Sequence, residues 1–391
     1  MNTHPPIAES PPGPVVQIDG AEYLYFVGTS YLGLHGHPEV IRAACEATER
    51  YGIHSATSRG GFGNTPPTLS CERRAADFFG CEASFCFPSG YAGNSILLRA
   101  VGSDFDALLV DEHSHYCVFE AAVQSGRPLL RFRHRDAGDL ADNLRKHLKP
   151  QQRPLLMTDG VFSIRGTIAP LADYMAALAN YPGASLLVDD AHGVGVLGHR
   201  GRGTLEYFGL FDGVYEGSVN SKVVGPLATR EKRDLAVFFC ATLSKALGGY
   251  GGIIPGSERF IESVRSASHW YDGASAPPAP VAAASARALE MIQADPDLRQ
   301  RLWANVRRLK DGLRAMGFDV DDTPVPIICL VLGDAANMRR IQQELMRRGI
   351  AVAYMAAYSG LPAAGGLRIA VFATHTEEMI QRFLDELRQV V

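Results

Sequence analysis

The chain has 391 residues, of which 46% are hydrophobic and 20% are charged, and its formal net charge is −4. This composition is that of an ordinary folded protein of two or three domains, and the charge argues against nucleic acid as a partner. The seven cysteines lack zinc-finger spacing and indicate a reducing compartment, so we expect a cytoplasmic protein. No apolar run approaches membrane-spanning length, and the first fourteen residues do not resemble a secretory signal.

The first 45 residues are predicted to form an N-terminal segment that contains a β-hairpin. Two apolar strands flank Asp19 and Gly20, a pair that favours a tight turn between strands. The predicted elements are, in order, strands at 14–18 and 23–27, a helix at about 38–51, a glycine- and proline-rich loop at 58–67 and a helix from about residue 68.

Residues 46–270 are predicted to form a large α/β domain. Short apolar strands alternate with helical stretches, a pattern that predicts a mostly parallel sheet with helices on both faces. The seven predicted strands lie at 85–87, 107–110, 129–132, 155–158, 186–189, 237–240 and 252–254. In such sheets, ligands bind beyond the carboxyl ends of the strands. Asp159, Asp189 and Thr242 stand at or just after such ends, so we expect the site there.

Residues 271–391 are predicted to form a small C-terminal α+β domain, beginning with a proline-rich change of composition at 271–281. Its predicted helices lie at about 282–294, 297–316, 336–348 and from 377, and its predicted strands at 325–331, 351–354 and 367–371. The fold class is therefore α/β, with a large, mostly parallel seven-stranded domain and a smaller α+β domain.

Lys245 stands in an unusual place for a lysine. It follows the apolar strand at 235–240, lies beside the hydroxyls of Thr242 and Ser244, and precedes four glycines within five positions. An amine at a strand end, in a loop where the backbone can approach a ligand closely, can be desolvated and partly neutral. In that state it is a nucleophile towards carbonyls. A surface lysine in a glycine-rich turn is the alternative interpretation.

A second strand, at 184–188, ends in Asp189, followed by His192 three residues later. A carboxylate in this position is what a pyridinium nitrogen needs as its partner. Together with the stretch around Lys245, it predicts pyridoxal 5'-phosphate (PLP) as the cofactor. His113 and His115 alone do not make a metal site, because no third ligand has usable spacing, and we expect no metal.

Seven motifs, in order and at about the expected spacing, give the chain from about residue 23 a resemblance to the α-oxoamine synthases, which are fold-type I PLP enzymes. The motifs are 31–34 (YLGL), 89–94 (SGYAGN), 113–115 (HSH), 159–163 (DGVFS), 189–193 (DDAHG), 242–245 (TLSK) and 367–369 (LRI). Each motif alone is weak, and the specificity comes from their combination.

The resemblance implies the catalytic roles. Lys245 would hold PLP covalently and later act as acid and base at the α-carbon of the substrate. Asp189 would keep the pyridine nitrogen protonated, so that the ring accepts carbanion density. His115 would stack on the ring, and His192 would lie near its phenolic oxygen. The other histidines of interest are expected to be surface or helix-capping residues, namely His35, His37, His134 and His147.

The resemblance also implies the binding residues. Backbone N–H groups at the start of a helix would bind the phosphate, and Arg368 would bind the α-carboxylate of the amino acid. The cofactor-binding set is Ser89, Gly90, Tyr91, His115, Asp159, Ser163, Asp189, His192, Thr242, Ser244, Lys245 and Ser275. The substrate-binding set is Arg368, Ser30 and Thr68.

Several positions depart from the family pattern. Thr68 stands where the family has a histidine associated with the acyl substrate, and Ser30 replaces an asparagine. Arg165 reverses the charge of a usual acidic residue. Ser275 is the nearest hydroxyl to a pair that would reach the phosphate of the neighbouring subunit. A surplus of about twenty residues lies at 211–232 and is interpreted as an inserted or extended loop.

The resemblance implies a decarboxylative condensation of a small amino acid with an acyl thioester, on coenzyme A or a carrier protein, to give an α-amino ketone. It also implies a homodimer with a shared active site. Two alternatives stay open. One is another fold-type I reaction, such as retro-aldol cleavage, decarboxylation or transamination. The other is a catalytically silent PLP-binding partner subunit, against which the intact lysine argues.

Overall fold

The computed structural model describes residues 5–101, 104–210 and 235–391. The surplus segment at 211–232 lies outside the described residues. Among the helices of the described ranges, none is both long and apolar enough to cross a membrane. The same ranges contain no group of three or more histidine, cysteine, aspartate or glutamate side chains that could hold a metal ion.

The N-terminal hairpin forms as predicted. Strand β1 (Val15–Ile18) pairs antiparallel with β2 (Ala21–Tyr25). Asp19 and Gly20 form the turn with φ angles of 49° and 76°, a left-handed conformation that glycine adopts without strain.

The large sheet contains the seven strands expected from the sequence. They are β3 (Ala83–Phe87), β4 (Ala107–Asp111), β5 (Leu129–Phe132), β6 (Pro154–Asp159), β7 (Ser185–Asp189), β8 (Ala236–Thr242) and β9 (Gly252–Gly256). Their order is β3-β9-β8-β7-β6-β4-β5. Only β9 runs opposite to the other six strands, so the prediction of a mostly parallel sheet is confirmed. Strands β4, β6 and β7 are buried throughout, as expected for a parallel sheet covered on both faces.

Helices surround this sheet. They are α1 (Pro38–Tyr51), α2 (Pro66–Phe79), α3 (Gly93–Val101), α4 (Tyr116–Gln124), α5 (Ala137–His147), α6 (Leu171–Leu178), α7 (Thr204–Tyr207), α8 (Glu258–Ala267) and α9 (His269–Asp272). A 3₁₀ turn at Gly90–Ala92 leads into α3. Side chains of His37, Thr65 and His115 accept hydrogen bonds from the first turns of α1, α2 and α4, so these residues fix where the helices begin.

The C-terminal part is a smaller α/β unit. It contains α10 (Ala279–Ala294), α11 (Asp297–Ala315), β10 (Ile327–Leu330), α12 (Ala335–Arg347), β11 (Ile350–Ala351), β12 (Ala353–Met355), β13 (Gly366–Ala370) and α13 (Glu377–Val390). Strand β13 lies between β10 and β12 and pairs antiparallel with both. This sheet carries Arg368.

The single strand predicted at 351–354 is wrong. The segment forms β11 and β12, which lie in different sheets on either side of Val352. Strand β11 pairs parallel with β2, so the N-terminal hairpin and the C-terminal unit share a three-stranded sheet. The proposed boundaries at residues 45 and 270 stay a prediction, and one hydrophobic cluster runs from Leu24 to Val390 across all three segments.

Candidate active site

The carboxyl ends of three neighbouring parallel strands bring the predicted residues together. Asp159 at the end of β6 is the register partner of Asp189 at the end of β7. Asp189 in turn is the register partner of Cys240 in β8, two residues before Thr242. Lys245 follows in the loop between β8 and β9. The geometry therefore agrees with the rule that ligands bind beyond these strand ends.

The Lys245 amine lies 2.9 Å from His192 Nε2. Within the described ranges, no carboxylate lies at ion-pair distance from it. Burial lowers the pKa of the Lys245 amine, and the charges of Asp189 and Asp159 act against this shift. A lysine in this setting reaches its neutral, nucleophilic form more readily than an exposed lysine does.

A chain of hydrogen bonds runs from Lys245 to Arg368. His192 Nδ1 lies 2.8 Å from the Tyr31 hydroxyl, and Arg368 Nη2 donates to that hydroxyl at 3.3 Å. Because Tyr31 accepts from Arg368, its own proton can be donated to His192 Nδ1. In that arrangement the remaining imidazole proton is on Nε2, where it can be donated to the Lys245 amine when that amine is neutral.

Burial sets the protonation of this chain. It lowers the pKa of His192 well below the ordinary value, and the positive charges of Lys245 and Arg368 add to the shift. Burial also raises the pKa of Tyr31 to about 12, although Arg368 acts against it. His192 is thus neutral and Tyr31 is a hydroxyl over the physiological range, so both can pass a proton without carrying a charge.

Asp189 is held on both carboxylate oxygens. Oδ2 accepts a hydrogen bond from Asn94 Nδ2 at 2.7 Å and lies 3.3 Å from Cys117 Sγ, while Oδ1 accepts from the Ala191 N–H at 3.2 Å. The carboxylate is 5% exposed. Three contacts from separate elements fix its orientation. Asn94 lies in one of the motifs but had no individual role from the sequence, and Cys117 had none either.

His115 is connected to both aspartates. Its backbone N–H donates to Asp159 Oδ2 at 2.8 Å, and its Nδ1 lies 2.9 Å from Cys117 Sγ. Burial lowers the pKa of the His115 imidazole. Burial, with the charge of Asp189 next, raises the pKa of Asp159 well above the ordinary value. Asp159 therefore positions the His115 loop through the backbone.

The turn at Gly90 and the loop after β8 touch each other. A Cβ at Gly90 would lie 2.8 Å from Thr242 Oγ1, so a larger residue would close this space. Thr242 donates to Gly251 O at 2.9 Å, and Ser244 Oγ accepts from the Gly251 N–H at 2.9 Å. Ser89 caps the turn by accepting from the Tyr91 N–H at 3.3 Å. The result is a narrow cradle beside the start of α3, where the helix dipole favours an anion.

Arg368 is a cation without a matching acid. Its side chain donates to Ser163 O at 3.0 Å and Gly28 O at 3.2 Å, besides the Tyr31 hydroxyl. The residue is 8% exposed, and among the described residues no aspartate or glutamate lies at ion-pair distance from it. A guanidinium held this way is oriented and lacks a counter-ion, which suits it to a ligand carboxylate.

This chain is similar in sequence to a known protein family and to two named synthases. Residues 29–387 match the model of the family described as aminotransferase class I and II. The 8-amino-7-oxononanoate synthase of Methylococcus capsulatus is 35% identical over 385 residues, covering 98% of this chain and 93% of that protein. The corresponding enzyme of Pseudomonas putida is 33% identical over 384 residues, covering 98% and 92%. The chain belongs to the α-oxoamine synthases of this family.

Solved structures agree with this assignment. A serine palmitoyltransferase from S. paucimobilis with a bound PLP–myriocin aldimine superposes with a TM-score of 0.86 at 28% identity, covering 99% of this chain and 92% of that one. The serine palmitoyltransferase of Sphingomonas wittichii gives a TM-score of 0.87 at 27% identity, covering 100% and 92%. The predicted fold-type I architecture of this synthase is confirmed.

Three predicted residues of the synthase lie outside the hydrogen-bond chain around Lys245. Ser30 contacts His35 Nδ1 at 2.8 Å instead. Thr68 is fully buried in the first turn of α2, 2.9 Å from the hydroxyl of the helix-capping Thr65. Ser275 is exposed and pairs through its backbone with Ser58. Their contacts with substrate or cofactor stay predictions.

The four histidines expected at the surface or in helix caps divide into two groups. His37 caps α1 and His147 is exposed, as expected. His35 is half-buried against Ser30, and His134 Nδ1 lies 2.9 Å from the buried carboxylate of Asp111. The expectation of a surface or capping role is therefore wrong for His35 and His134, because Ser30 holds the half-buried ring of His35 and the distant, buried Asp111 holds His134.

A second buried arginine of the synthase, Arg59, belongs to the loop at 58–67. Arg59 is 2% exposed and forms a two-pronged ion pair with Glu72, with Nη2 donating to Oε2 at 2.9 Å. Glu72 also accepts from the Cys86 N–H at 2.9 Å and from Arg265 Nη2 at 3.2 Å. Every oxygen of this acid is occupied, so the group joins α2, β3 and α8 and offers no position to a ligand.

Proposed function

We propose that this protein is a PLP-dependent acyltransferase that condenses a small amino acid with an acyl thioester, with loss of carbon dioxide, to give an α-amino ketone. The observation that carries the proposal is the hydrogen-bond chain between Lys245 and Arg368. It connects a desolvated amine to a guanidinium without a counter-ion through a neutral histidine and a tyrosine. An amino acid carries an amine for the Lys245 end of this chain and a carboxylate for the Arg368 end.

The residues present fit PLP. Lys245 would hold its aldehyde carbon, and Asp189, fixed by Asn94, would face the pyridine nitrogen. The narrow cradle formed by Gly90 and Thr242 would take the phosphate. When bound, PLP supplies a carbonyl that reacts with amines and a ring that accepts electron density from the α-carbon of the substrate.

The chain's own residues would control protons and orientation. Arg368 would hold the α-carboxylate in a bidentate contact and so fix the bond that is to break. Lys245, once displaced by the substrate amine, would take a proton from the α-carbon and later return one. His192 would keep the Lys245 amine neutral by donating from Nε2, and Asp189 would hold a proton on the ring nitrogen.

We propose that the enzyme works as a homodimer with a shared site. Phe62, in the loop at 58–67, is 97% exposed, and Tyr250, five residues after the lysine, is 58% exposed. Large exposed apolar side chains are found at protein interfaces. Light scattering on the purified protein at working concentration should give twice the mass of the chain, and a monomer would contradict this part of the proposal.

The experiment that tests the reaction is a screen of the PLP-loaded protein. Each amino acid is mixed with acyl-coenzyme A thioesters of increasing chain length or with an acyl carrier protein, and thiol release and carbon dioxide are measured together. Equal release of both, with one amino acid favoured, supports condensation. A keto acid without thiol release indicates transamination, and carbon dioxide without thiol release indicates simple decarboxylation. Binding of amino acids with neither product would indicate a silent subunit.

A further inference from the structure

Cys117 lies between two residues that are predicted to contact PLP. It is the second residue of α4 and is 4% exposed. Its Sγ lies 2.9 Å from His115 Nδ1 and 3.3 Å from Asp189 Oδ2. His115 is predicted to stack on the cofactor ring, and Asp189 is predicted to face the ring nitrogen. One thiol therefore contacts both groups.

The His115 ring depends on Cys117 for its polar contacts. Its Nδ1 accepts a hydrogen bond from the Cys117 N–H at 3.2 Å, in addition to the contact with the thiol. Within the part of the chain that the structure describes, no other residue hydrogen-bonds to this ring. A ring nitrogen that accepts a hydrogen bond carries no proton, so the proton of the neutral His115 ring is on Nε2.

The proton of the Cys117 thiol has two acceptors within reach. The ionised Asp189 carboxylate can only accept, and His115 Nδ1 already acts as an acceptor. The third neighbour, Asn94 Nδ2, can only donate and lies 3.4 Å from the sulfur. The sulfur can thus accept from Asn94 while its own proton is donated to Asp189 or His115. Burial and the charge of Asp189 raise the pKa of the Cys117 thiol, which agrees with a thiol that keeps its proton.

We propose that Cys117 is a positioning residue for PLP, whose thiol holds the His115 ring and the Asp189 carboxylate in one fixed arrangement. Without the thiol, Asp189 keeps its hydrogen bonds from Asn94 and from the Ala191 N–H. The His115 ring keeps only the backbone N–H of residue 117. The ring should therefore lose more of its orientation than the carboxylate does. The inference rests on the proposed function only for the identity of the cofactor.

The contact between the thiol and the His115 ring can be measured without cofactor or substrate. Cofactor-free protein labelled with ¹⁵N-histidine is examined by long-range ¹H–¹⁵N correlation, and the His115 signals are assigned by their loss in His115→Gln. We expect a neutral wild-type ring with its proton on Nε2. In Cys117→Ala, the Nδ1 signal should move towards that of a ring nitrogen with fewer hydrogen bonds. A proton on Nδ1 in the wild type, or an Nδ1 signal unchanged in Cys117→Ala, would overturn the proposal.

The affinity for PLP tests the arrangement as a whole. Titration of the cofactor-free protein with PLP, followed by absorbance, gives Kd for the wild type and each variant. Cys117→Ala should weaken PLP binding about tenfold, as expected for the loss of one hydrogen bond to a charged group. Cys117→Ser should stay within about threefold of the wild type, because a hydroxyl can donate in the same direction as the thiol. Binding by Cys117→Ser as weak as that by Cys117→Ala would contradict a hydrogen-bonding role.

Cys240→Ala is the matched control for the loss of a buried thiol. Cys240 is fully buried in β8, and a Cβ on Gly93 would lie 2.8 Å from its Sγ, so this thiol packs against the backbone of α3. Only Cys117→Ala should shift the Nδ1 signal and weaken PLP binding. Equal weakening in both alanine variants would overturn the proposal. A wild type that binds no PLP would contradict the proposed function, and the Nδ1 signal would still decide the role of Cys117.

Discussion

Arg59 and Arg368 are both almost fully buried, and they differ in what surrounds them. The guanidinium of Arg59 meets both oxygens of Glu72, an acid that two further donors also occupy. The guanidinium of Arg368 meets two carbonyl oxygens and a hydroxyl. The charge of Arg59 is neutralised within the protein by Glu72. The charge of Arg368 is left for a ligand to neutralise.

The same contrast separates two lysines. Lys310 lies in α11 with its side chain 3% exposed, and its amine contacts Asp321 and donates to Thr323 O at 2.7 Å. Lys245 has a neutral histidine as its partner. Removing one member of a buried ion pair is strongly destabilising, whereas a buried basic side chain held without a counter-ion is a feature of a working site. The comparison therefore assigns stability to Arg59 and Lys310 and chemistry to Arg368 and Lys245.

The largest effect is expected for Lys245→Ala. Turnover should fall by at least about 10⁴-fold, because the residue is both the covalent anchor and the proton carrier. Lys310→Ala is the matched control and should keep kcat within about twofold while lowering the free energy of unfolding. Steady-state kinetics and urea unfolding measure the two outcomes. The comparison fails if Lys310→Ala loses activity to the same extent in folded protein.

Arg59→Ala should lower the free energy of unfolding by about 3–5 kcal/mol, because Glu72 keeps its buried charge with only Arg265 as cation. Urea unfolding monitored by circular dichroism measures it. Arg74→Ala is the control, since Arg74 forms an exposed ion pair with Glu290, and it should cost less than about 1 kcal/mol. A loss below about 1 kcal/mol for Arg59→Ala would mean that the ion-pair network of Arg59, Glu72 and Arg265 does not stabilise the fold.

Asp190 is a buried acid whose carboxylate is held by hydrogen bonds rather than by a cation. Its carboxylate accepts from the Thr204 N–H and hydroxyl, both at 2.6 Å, and burial raises its pKa from 3.8 to about 7. The folded state therefore binds the proton more tightly than the unfolded state. The contribution to stability is full below the unfolded pKa and is lost as pH rises through about 7.

Relative to Asp190→Asn, the wild type should lose on the order of 2.5 kcal/mol of unfolding free energy between about pH 5 and about pH 8. Urea unfolding of both proteins at each pH gives the difference, with the exposed Asp173→Asn as the control. If the gap between wild type and Asp190→Asn stays constant over this range, Asp190 is charged throughout and the neutral form has no role.

Arg368→Ala should lower kcat/KM for the amino acid about 10²-fold, equivalent to roughly 3 kcal/mol for a charge-assisted bidentate contact. KM for the acyl thioester should change much less, because the guanidinium faces the carboxylate of the other substrate. Arg368→Lys should recover only part of the loss, since an ammonium lacks the fork geometry. Equal losses for both substrates would mean that Arg368 shapes the whole cleft.

The sequence predicts this architecture well where strands are short, apolar and separated by helical patterns. All seven strands of the large sheet follow from that alternation, and the catalytic candidates follow from the ends of β6, β7 and β8. The failure at 351–354 has a physical reason. Sequence pattern shows an extended segment but not that its two halves pair with β2 and β13 in different sheets.

Within the site, the sequence predicted residues that we propose to contact substrate or cofactor, but it did not show which residues support them. Asn94 and Cys117 reach Asp189 from α3 and α4, a contact that no local spacing reveals. Tyr31 lay in a motif without a role, and its hydroxyl turns out to connect His192 with Arg368.

The sheet shared by β1, β2 and β11 ties the first residues of the chain to nearly the last. Tyr31 and Arg368 of β13, which are 337 positions apart, also touch. During synthesis on the ribosome, the seven-stranded sheet has all of its strands long before Ile350 emerges. The contact between Tyr31 and Arg368 therefore cannot form until nearly the whole chain has been synthesised, so the proposed amino-acid-binding end of the site is completed last.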